Sequence, residues 1–514
     1  MRPISSVLPI TTLECLDTYY EEYKRGVGLS ITPEQASTLT HAISFSSNFF
    51  YVQNRRLKRK IDRVILPIFL ITLTLQNLDR TSINYANLLG LRQDLKLSGT
   101  EFNWLAGIVY AGSFFGEYPL TFAIGRYPSQ RVLSIIIVLW GLTVLLFTQC
   151  RTFPGALINR FFLGLFESAI IPGQTIMTGF WYQRSEIPTR QCIWFSGVAV
   201  AGLVGSYMAA GIEAIPDTAP GPKKWQYLFY ILGSVTMAWG VFVWFFLPDS
   251  PAHAWFLNAE DRLLCIKRVA ENHTGIKNRK FKADQAWESL RDPKVYLTAI
   301  AAIGGSFPNG VLATFSTQII HEMGFSKMKS TLLKSVVDVV MLLSLLLAAY
   351  INLKCKNKRL ITATVANSLC IVGASLLGYL PSEKKWLRLS AFWLTGVHMI
   401  SFATSLMMVA SNAAGYSHKI VSHGLIFAGV CWSNFGSPFV VKQNEAPRFP
   451  TAMAALVTGY SLKFTAQGLL LIYLVWSNAH RNKKYGPPDE AASREAGMQD
   501  KTEFENKVSS FMFG

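Results

Sequence analysis

Residues 132–149 read VLSIIIVLWGLTVLLFTQ, without one charged side chain. A helix rises about 1.5 Å per residue, so such a stretch crosses most of a bilayer's hydrocarbon core of about 30 Å. Among lipid tails every backbone polar group must be paired within the protein, which favours a helix. Working outward, eleven more stretches of this kind occur: 64–86, 103–124, 156–178, 192–212, 226–247, 295–317, 332–351, 360–380, 389–410, 420–441 and 454–476. The pattern predicts an all-α membrane protein of twelve transmembrane helices in two pseudo-symmetric six-helix halves.

Composition agrees. Of 514 residues, 50% are hydrophobic and 13% aromatic, and only 16% are charged, against about 25% in soluble domains. A soluble enzyme, a disordered chain and a disulfide scaffold are all excluded. The seven cysteines include no C-x-x-C pair, and Cys150, Cys192, Cys370 and Cys431 sit in or beside apolar runs, as small hydrophobes do. Residues 1–60 hold no apolar core followed by a cleavage site, so the first span is expected to direct insertion.

The formal net charge of +18 raises nucleic acid as a partner, but its distribution argues against it. With the N terminus in the cytoplasm, 33 of the 49 Lys and Arg residues fall in inner segments, 12 in outer loops and four within spans. That is the positive-inside pattern. It places both termini in the cytoplasm, turns the basic run Arg55 to Lys60 toward anionic lipid, and leaves no role for nucleic acid.

The polar segment 248–294 divides the spans six and six. The expected organisation is a tail at 1–62, a bundle at 63–247, a linker at 248–294, a second bundle at 295–476 and a tail at 477–514. Within the linker, Ala259 to Glu271 has the pattern of an amphipathic surface helix. A basic loop follows the second span of each half, Arg126 to Arg131 and Lys354 to Arg359. Two repeated halves around a midplane site suit a secondary transporter.

Ionised side chains in lipid are costly and mark function. Eight lie in the spans: Asp79, Arg80, Glu117, Arg160, Glu167, Lys334, Asp338 and Lys463. Arg160 and Glu167 are two helical turns apart and share a face, with Gly164 between them. With Asp79 and Arg80 they read either as interhelical ion pairs that hold the bundle together or, the reading favoured here, as an anion site with protonatable partners: Arg80 and Arg160 for substrate, Asp79 and Glu167 for the proton. Protonating a carboxylate frees its guanidinium for an anion, so proton and anion binding favour each other. Glu117, before Tyr118-Pro119, and Arg126 are candidate gating residues. Asn309, between Pro308 and Gly310, and Asn434, near Gly436 and Pro438, are candidate substrate contacts at kinked or unwound turns. Pro172 is expected to break the fourth helix. Lys334 and Asp338 have the spacing of a local ion pair, His398 that of a packed core histidine, and Lys463 snorkels if its span begins later than position 454.

Several motifs carry a family resemblance: Leu78-Asp79-Arg80 with Asn84, Gly90 to Leu95, Glu117-Tyr118-Pro119, Arg160 to Glu167, Trp181-Tyr182 with Glu186 and Arg190, Leu247 to Pro251, Pro308-Asn309-Gly310 and Ala446-Pro447. Together they resemble the major facilitator superfamily, in the fungal allantoate permease-like group of its anion:cation symporter branch. The resemblance covers about 60–480. It implies proton symport of small organic anions, commonly carboxylates, with substrate and coupling residues at Asp79, Arg80, Arg160 and Glu167. Two patterns depart from the family: an acidic-Arg-Gly-Arg loop is replaced by Ile124 to Pro128, and the eighth span reads Lys334-Ser335-Val336-Val337-Asp338.

The expected function is secondary active uptake of a small carboxylate-type anion with protons, at the plasma membrane, by a monomer with no cofactor. An exporter of a metabolite or drug is the alternative, although the fifth span lacks a Gly-Pro pair. A transport-inactive sensor is the other. The chain holds no HExxH, G-x-S-x-G or nucleotide-binding G-x-x-x-x-G-K-[ST] pattern, so neither an enzyme nor an ATP-driven pump is expected.

Overall fold

The computed structural model describes residues 33–183, 186–216, 221–270, 282–354, 359–401, 416–486 and 502. The described elements are helical. Among the described residues each of the twelve apolar stretches overlaps a helix, and nine helices are long and apolar enough to cross a membrane. In chain order, α1 is Pro33–Leu88, α2 Glu101–Arg126 and α3 Ser129–Phe147. Helix α4 has two parts, Phe153–Glu167 and Ile170–Trp181, as does α5, Ile187–Phe195 and Gly197–Glu213. Helix α6 is Lys224–Phe246, α7 Pro293–Glu322, α8 Lys327–Lys354 and α9 Arg359–Tyr379. Helix α10 starts as Lys385–Leu394 and tightens at Thr395–Val397; the rest of its expected span, 402–410, lies outside the described residues. Helix α11 is Tyr416–Gly436 and α12 Pro450–Tyr485.

Contacts divide the chain after Val64. Before it, the expected tail contributes the beginning of α1, which is helical from Pro33. From Ile65 onward the chain forms one compact unit. Within it α3 packs on α6, α2 on α4, and α7 on both α11 and α12, while α5 against α8 and α2 against α11 join the two halves.

The breaks have chemical causes. In α4 the helix interrupts at Ser168–Ala169, four residues before Pro172. Pro172 has no N–H to give the Ser168 carbonyl, so the ladder opens there. The break falls directly after Glu167. Helix α7, in contrast, runs through Pro308 without interruption, so the unwound turn expected at Asn309 does not form. Helix α11 ends at Gly436 and passes into the tighter turn Ser437–Val440.

The linker holds a helix at Ala259–Ala270, as its pattern foretold; Glu271 lies outside the described residues. Arg268 pairs with Glu186 at 2.6 Å, beside α5. A second linker helix, Ala283–Arg291, meets α11 instead, where the Ser289 and Ser422 hydroxyls are 2.9 Å apart. The two linker helices are therefore fastened to opposite halves. Before α12, Glu445 accepts from the Thr451 amide at 2.9 Å and from its hydroxyl at 2.5 Å. These donors hold the Glu445 carboxyl below the usual carboxylate range.

Close helix crossings rest on glycine. A Cβ at Gly164 of α4 would run into the Val109 carbonyl of α2, and one at Gly112 of α2 into the Phe161 carbonyl of α4. Gly164→Ala is expected to destabilise the bundle by about 1–3 kcal/mol through overpacking. A lowered thermal midpoint of the detergent-purified protein measures it, and an unchanged midpoint contradicts the crossing described.

Candidate substrate and proton site

The middle of α1 carries Thr72, Gln76, Asp79, Arg80, Asn84 and Tyr85 through an otherwise apolar span. Each finds a partner on another helix. Gln76 Nε2 donates to the Glu167 carbonyl on α4 at 3.1 Å. The Trp239 indole of α6 donates to Thr72 Oγ1 at 2.9 Å. Asp79 Oδ2 accepts from the Trp140 indole of α3 at 2.8 Å. The Tyr85 hydroxyl lies 3.1 Å from Ser206 Oγ on α5.

Arg80 Nε donates to Glu167 Oε1 at 2.8 Å. Glu167 is fully buried, whereas the Arg80 side chain is 31% exposed. Only Nε of this guanidinium is engaged by a described residue; its Nη groups stay free for a ligand. The guanidinium carbon also lies 5.9 Å from the Tyr110 ring centre on α2. Arg160 is 2% exposed, with its guanidinium 4.3 Å from the Phe147 ring and 5.2 Å from that of Phe229. Its Nε and Nη2 are buried with no hydrogen-bond partner among the described residues, as are Glu167 Oε2 and Asp79 Oδ1. Such groups are costly to leave unmet. Arg160 is within electrostatic reach of both Asp79 and Glu167. Two guanidiniums and two carboxyls thus share one region, and with both carboxyls ionised their charges sum to zero.

Arg80, Tyr110, Arg160 and Glu167 line one cavity, to which α7 adds Thr314. Asp79 stands behind it on Trp140. Asn309 and Asn434 are not among its lining residues. The Asn309 Oδ1 is 3.3 Å from His398 Nε2, and Asn434 Nδ2 donates to the Val430 carbonyl at 2.8 Å. Glu117 is half-buried in the second half of α2, and Arg126 is exposed at its end. Lys463 does not snorkel: it is fully buried, against Gly304 and Gly305 of α7. Tyr110 and Trp140 escape sequence reasoning, because a lone Tyr or Trp in an apolar span has no periodic signature. Asn84 was visible only as part of a motif.

Near the α1–α2 loop the halves meet closely. Asn84 Nδ2 donates to Ser316 Oγ at 2.9 Å, and its Oδ1 accepts from the Thr317 hydroxyl at 2.8 Å. Asn87 Nδ2 donates to Gln318 Oε1 at 2.8 Å. Trp104 of α2 packs on Phe435 of α11 and on Phe439 in the turn that follows it. On α8, Lys334 and Asp338 form the expected local pair at 2.8 Å. A Cβ at Gly202 of α5 would enter the Asp338 carboxylate.

This arrangement defines a multi-pass membrane transporter whose buried charges converge between packed helices. A model of the Major Facilitator Superfamily matches residues 69–440, and the chain belongs to that family. An uncharacterized transporter of Schizosaccharomyces pombe is 32% identical, over 86% of this chain and 83% of the relative. The allantoate permease of Saccharomyces cerevisiae is 28% identical, over 88% and 86% respectively. A thiamine pathway transporter of the same yeast is 30% identical, over 79% and 77%. Among solved structures, the xylose transporter of E. coli in a partially occluded inward open conformation has a TM-score of 0.56 at 13% identity, covering 79% of this chain and 99% of that one.

The Gly202 contact yields a test. Gly202→Ala is expected to hold α5 away from α8 and loosen this end of the bundle. A cysteine at position 87, in a background without other cysteines, should then react several-fold faster with a membrane-impermeant thiol reagent. An unchanged rate contradicts the close approach of Gly202 to Asp338.

Proposed function

We propose that this transporter takes up a small carboxylate-type anion together with protons, by alternating access in the plasma membrane. The observation that carries the reading is the unequal use of the two guanidiniums. Glu167 occupies one edge of Arg80, while Arg160 is buried with donors unmet. An ionised Glu167 competes with an incoming carboxylate for Arg80. A proton on Glu167 removes the competitor and leaves one net positive charge in the site. A carboxylate then meets charge-assisted donors from two rigid forks. Once it leaves, Glu167 can lose the proton and re-form its pair with Arg80. Each ligand thus raises the affinity for the other.

On the positive-inside orientation, the end closed by Asn84, Thr317 and the α5–α8 contact faces outward. Its polar pairs are hydrogen bonds between halves, which water can replace when the halves separate. In this reading the bundles 63–247 and 295–476 rock about the site, joined by the linker 248–294, with Glu117 and Arg126 toward the inner gate. Asn309 and Asn434 are polar groups of the second half that meet substrate in another state of the cycle. The kinship with an allantoate permease supports an organic anion as cargo.

Uptake in cells displaying the protein tests this, with labelled monocarboxylates, ureido acids, short peptides and sulfonates, with and without a protonophore. Accumulation should vanish with the protonophore. Arg160→Ala should reduce uptake by about a hundredfold or more, the scale of losing a buried charge-assisted contact. Glu167→Gln should still exchange substrate across the membrane yet fail to concentrate it. Concentration by Glu167→Gln excludes Glu167 as the coupling group, and uptake indifferent to Arg160 excludes the anion site.

A further inference from the structure

A second group of unmet charges lies away from the central cavity, at the end of the bundle that faces outward on the positive-inside orientation. It is built by the turn between α9 and α10 and by the loop before α12. Residues 380–388 and 441–449 hold five cationic side chains against two acidic ones. Outer segments are ordinarily poor in Lys and Arg, so this local excess needs a reason of its own.

The first turn of α10 concentrates it. Lys384 precedes the helix and gives it no side-chain cap. Its carbonyl accepts from the Leu387 and Arg388 amides at 3.1 and 3.0 Å, which leaves the Lys385 and Trp386 amides open at the helix end. A helix N-terminus is partially positive and prefers an anion, yet the side chains standing at this one are Lys384, Lys385 and Arg388. Lys385 turns aside to the Phe325 ring, at 5.4 Å. Arg388 is only 3% exposed, and its Nε is buried with no hydrogen-bond partner among the described residues. The charge within its electrostatic reach is a like one, the exposed Arg448. Arg448 is tied to the turn that leads into α10, donating from Nε to Ser382 Oγ at 3.1 Å. The nearby acids do not compensate. Glu445 is bonded to Thr451 and lies 3.6 Å from Lys442, and Glu383 pairs with neither arginine among the described residues.

We propose that the first turn of α10 and Arg448 form a second anion site, on the outward face, which takes a tetrahedral oxyanion of the phosphate or sulfate type. Such a group has acceptors enough for two guanidiniums and two backbone amides. It neutralises a pair of repelling charges, meets the unpartnered Nε of Arg388 and complements the helix end. It also bridges the α9–α10 turn to the loop before α12. The site lies at the membrane edge, so the phosphate is either a free ion or the headgroup of a phospholipid. Neither Arg388 nor Arg448 lines the central cavity, and this site stands independently of the transport reading.

The test uses the purified full-length protein in detergent and follows its thermal midpoint as inorganic phosphate or sulfate is added, with chloride at matched ionic strength as the reference. Phosphate and sulfate should raise the midpoint saturably, beyond chloride. Arg388→Gln and Arg448→Gln should each weaken the half-saturation by about tenfold or more. Arg448 is exposed, so its variant serves if Arg388→Gln does not fold. Arg160→Ala should leave the response in place, because the central site is elsewhere. The lipid source is tested in parallel with dioctanoyl phosphatidylglycerol against dioctanoylglycerol, which lacks the phosphate. Stabilisation by the free ions that depends on Arg388 or Arg448 assigns the site to a soluble anion. The same dependence seen with the phospholipid alone assigns it to a headgroup. If neither phosphate source stabilises the protein beyond its reference, or if both glutamine variants keep the full response, the site is overturned.

Discussion

The ion pair between Arg80 and Glu167 is the interaction on which the rest of this molecule depends. It joins α1 to α4 inside the bundle, with Glu167 fully buried and the Arg80 side chain 31% exposed. Ionised and fully buried, Glu167 takes its partner from Arg80, and the pair fixes how α1 and α4 face each other. The same demand explains the remaining polar residues of α1. Thr72, Gln76, Asp79, Asn84 and Tyr85 reach α6, α4, α3, α7 and α5 in turn. A helix so bound to five neighbours is an axle for the fold, and its polarity is the reason.

Close packing supplies what those hydrogen bonds require. Side-chain amides and hydroxyls are short, so partner helices must approach nearly to backbone contact. Gly112 and Gly164 permit this between α2 and α4, and Gly202 between α5 and α8. The proline in α4 has a related effect. By removing one N–H it opens the helix at Ser168–Ala169, which places Glu167 at the end of a helical segment rather than within one. Pro308 in α7 lacks that consequence, since the helix continues through it. One residue type therefore acts differently in two helices, according to how neighbouring turns can be satisfied.

The polar contacts between halves have a different character from those within them. Asn84 with Ser316 and Thr317, and Asn87 with Gln318, are neutral and near one end of the bundle, where water can replace each partner at little cost. The Arg80–Glu167 pair deeper in the bundle is charged and has no such substitute. A transporter needs both kinds, weak bonds that part and strong bonds that persist.

Much of this was legible in the sequence. The twelve apolar stretches, the six-plus-six division and the convergence of Arg160 and Glu167 on one face follow from hydropathy and from 3.6-residue periodicity, which are local properties of a chain. The break in α4 was legible too, since Pro172 acts through its own covalent structure. Local information stops at the helix surface. It does not say that Glu167 chooses Arg80 over Arg160, that Asp79 turns to Trp140, that Asn309 meets His398 outside the lined cavity, or that Lys463 stays buried instead of reaching the interface. Those outcomes are set by the rotation and spacing of helices far apart in sequence. That arrangement is decided collectively, by which set of crossings satisfies every buried charge and polar group at once.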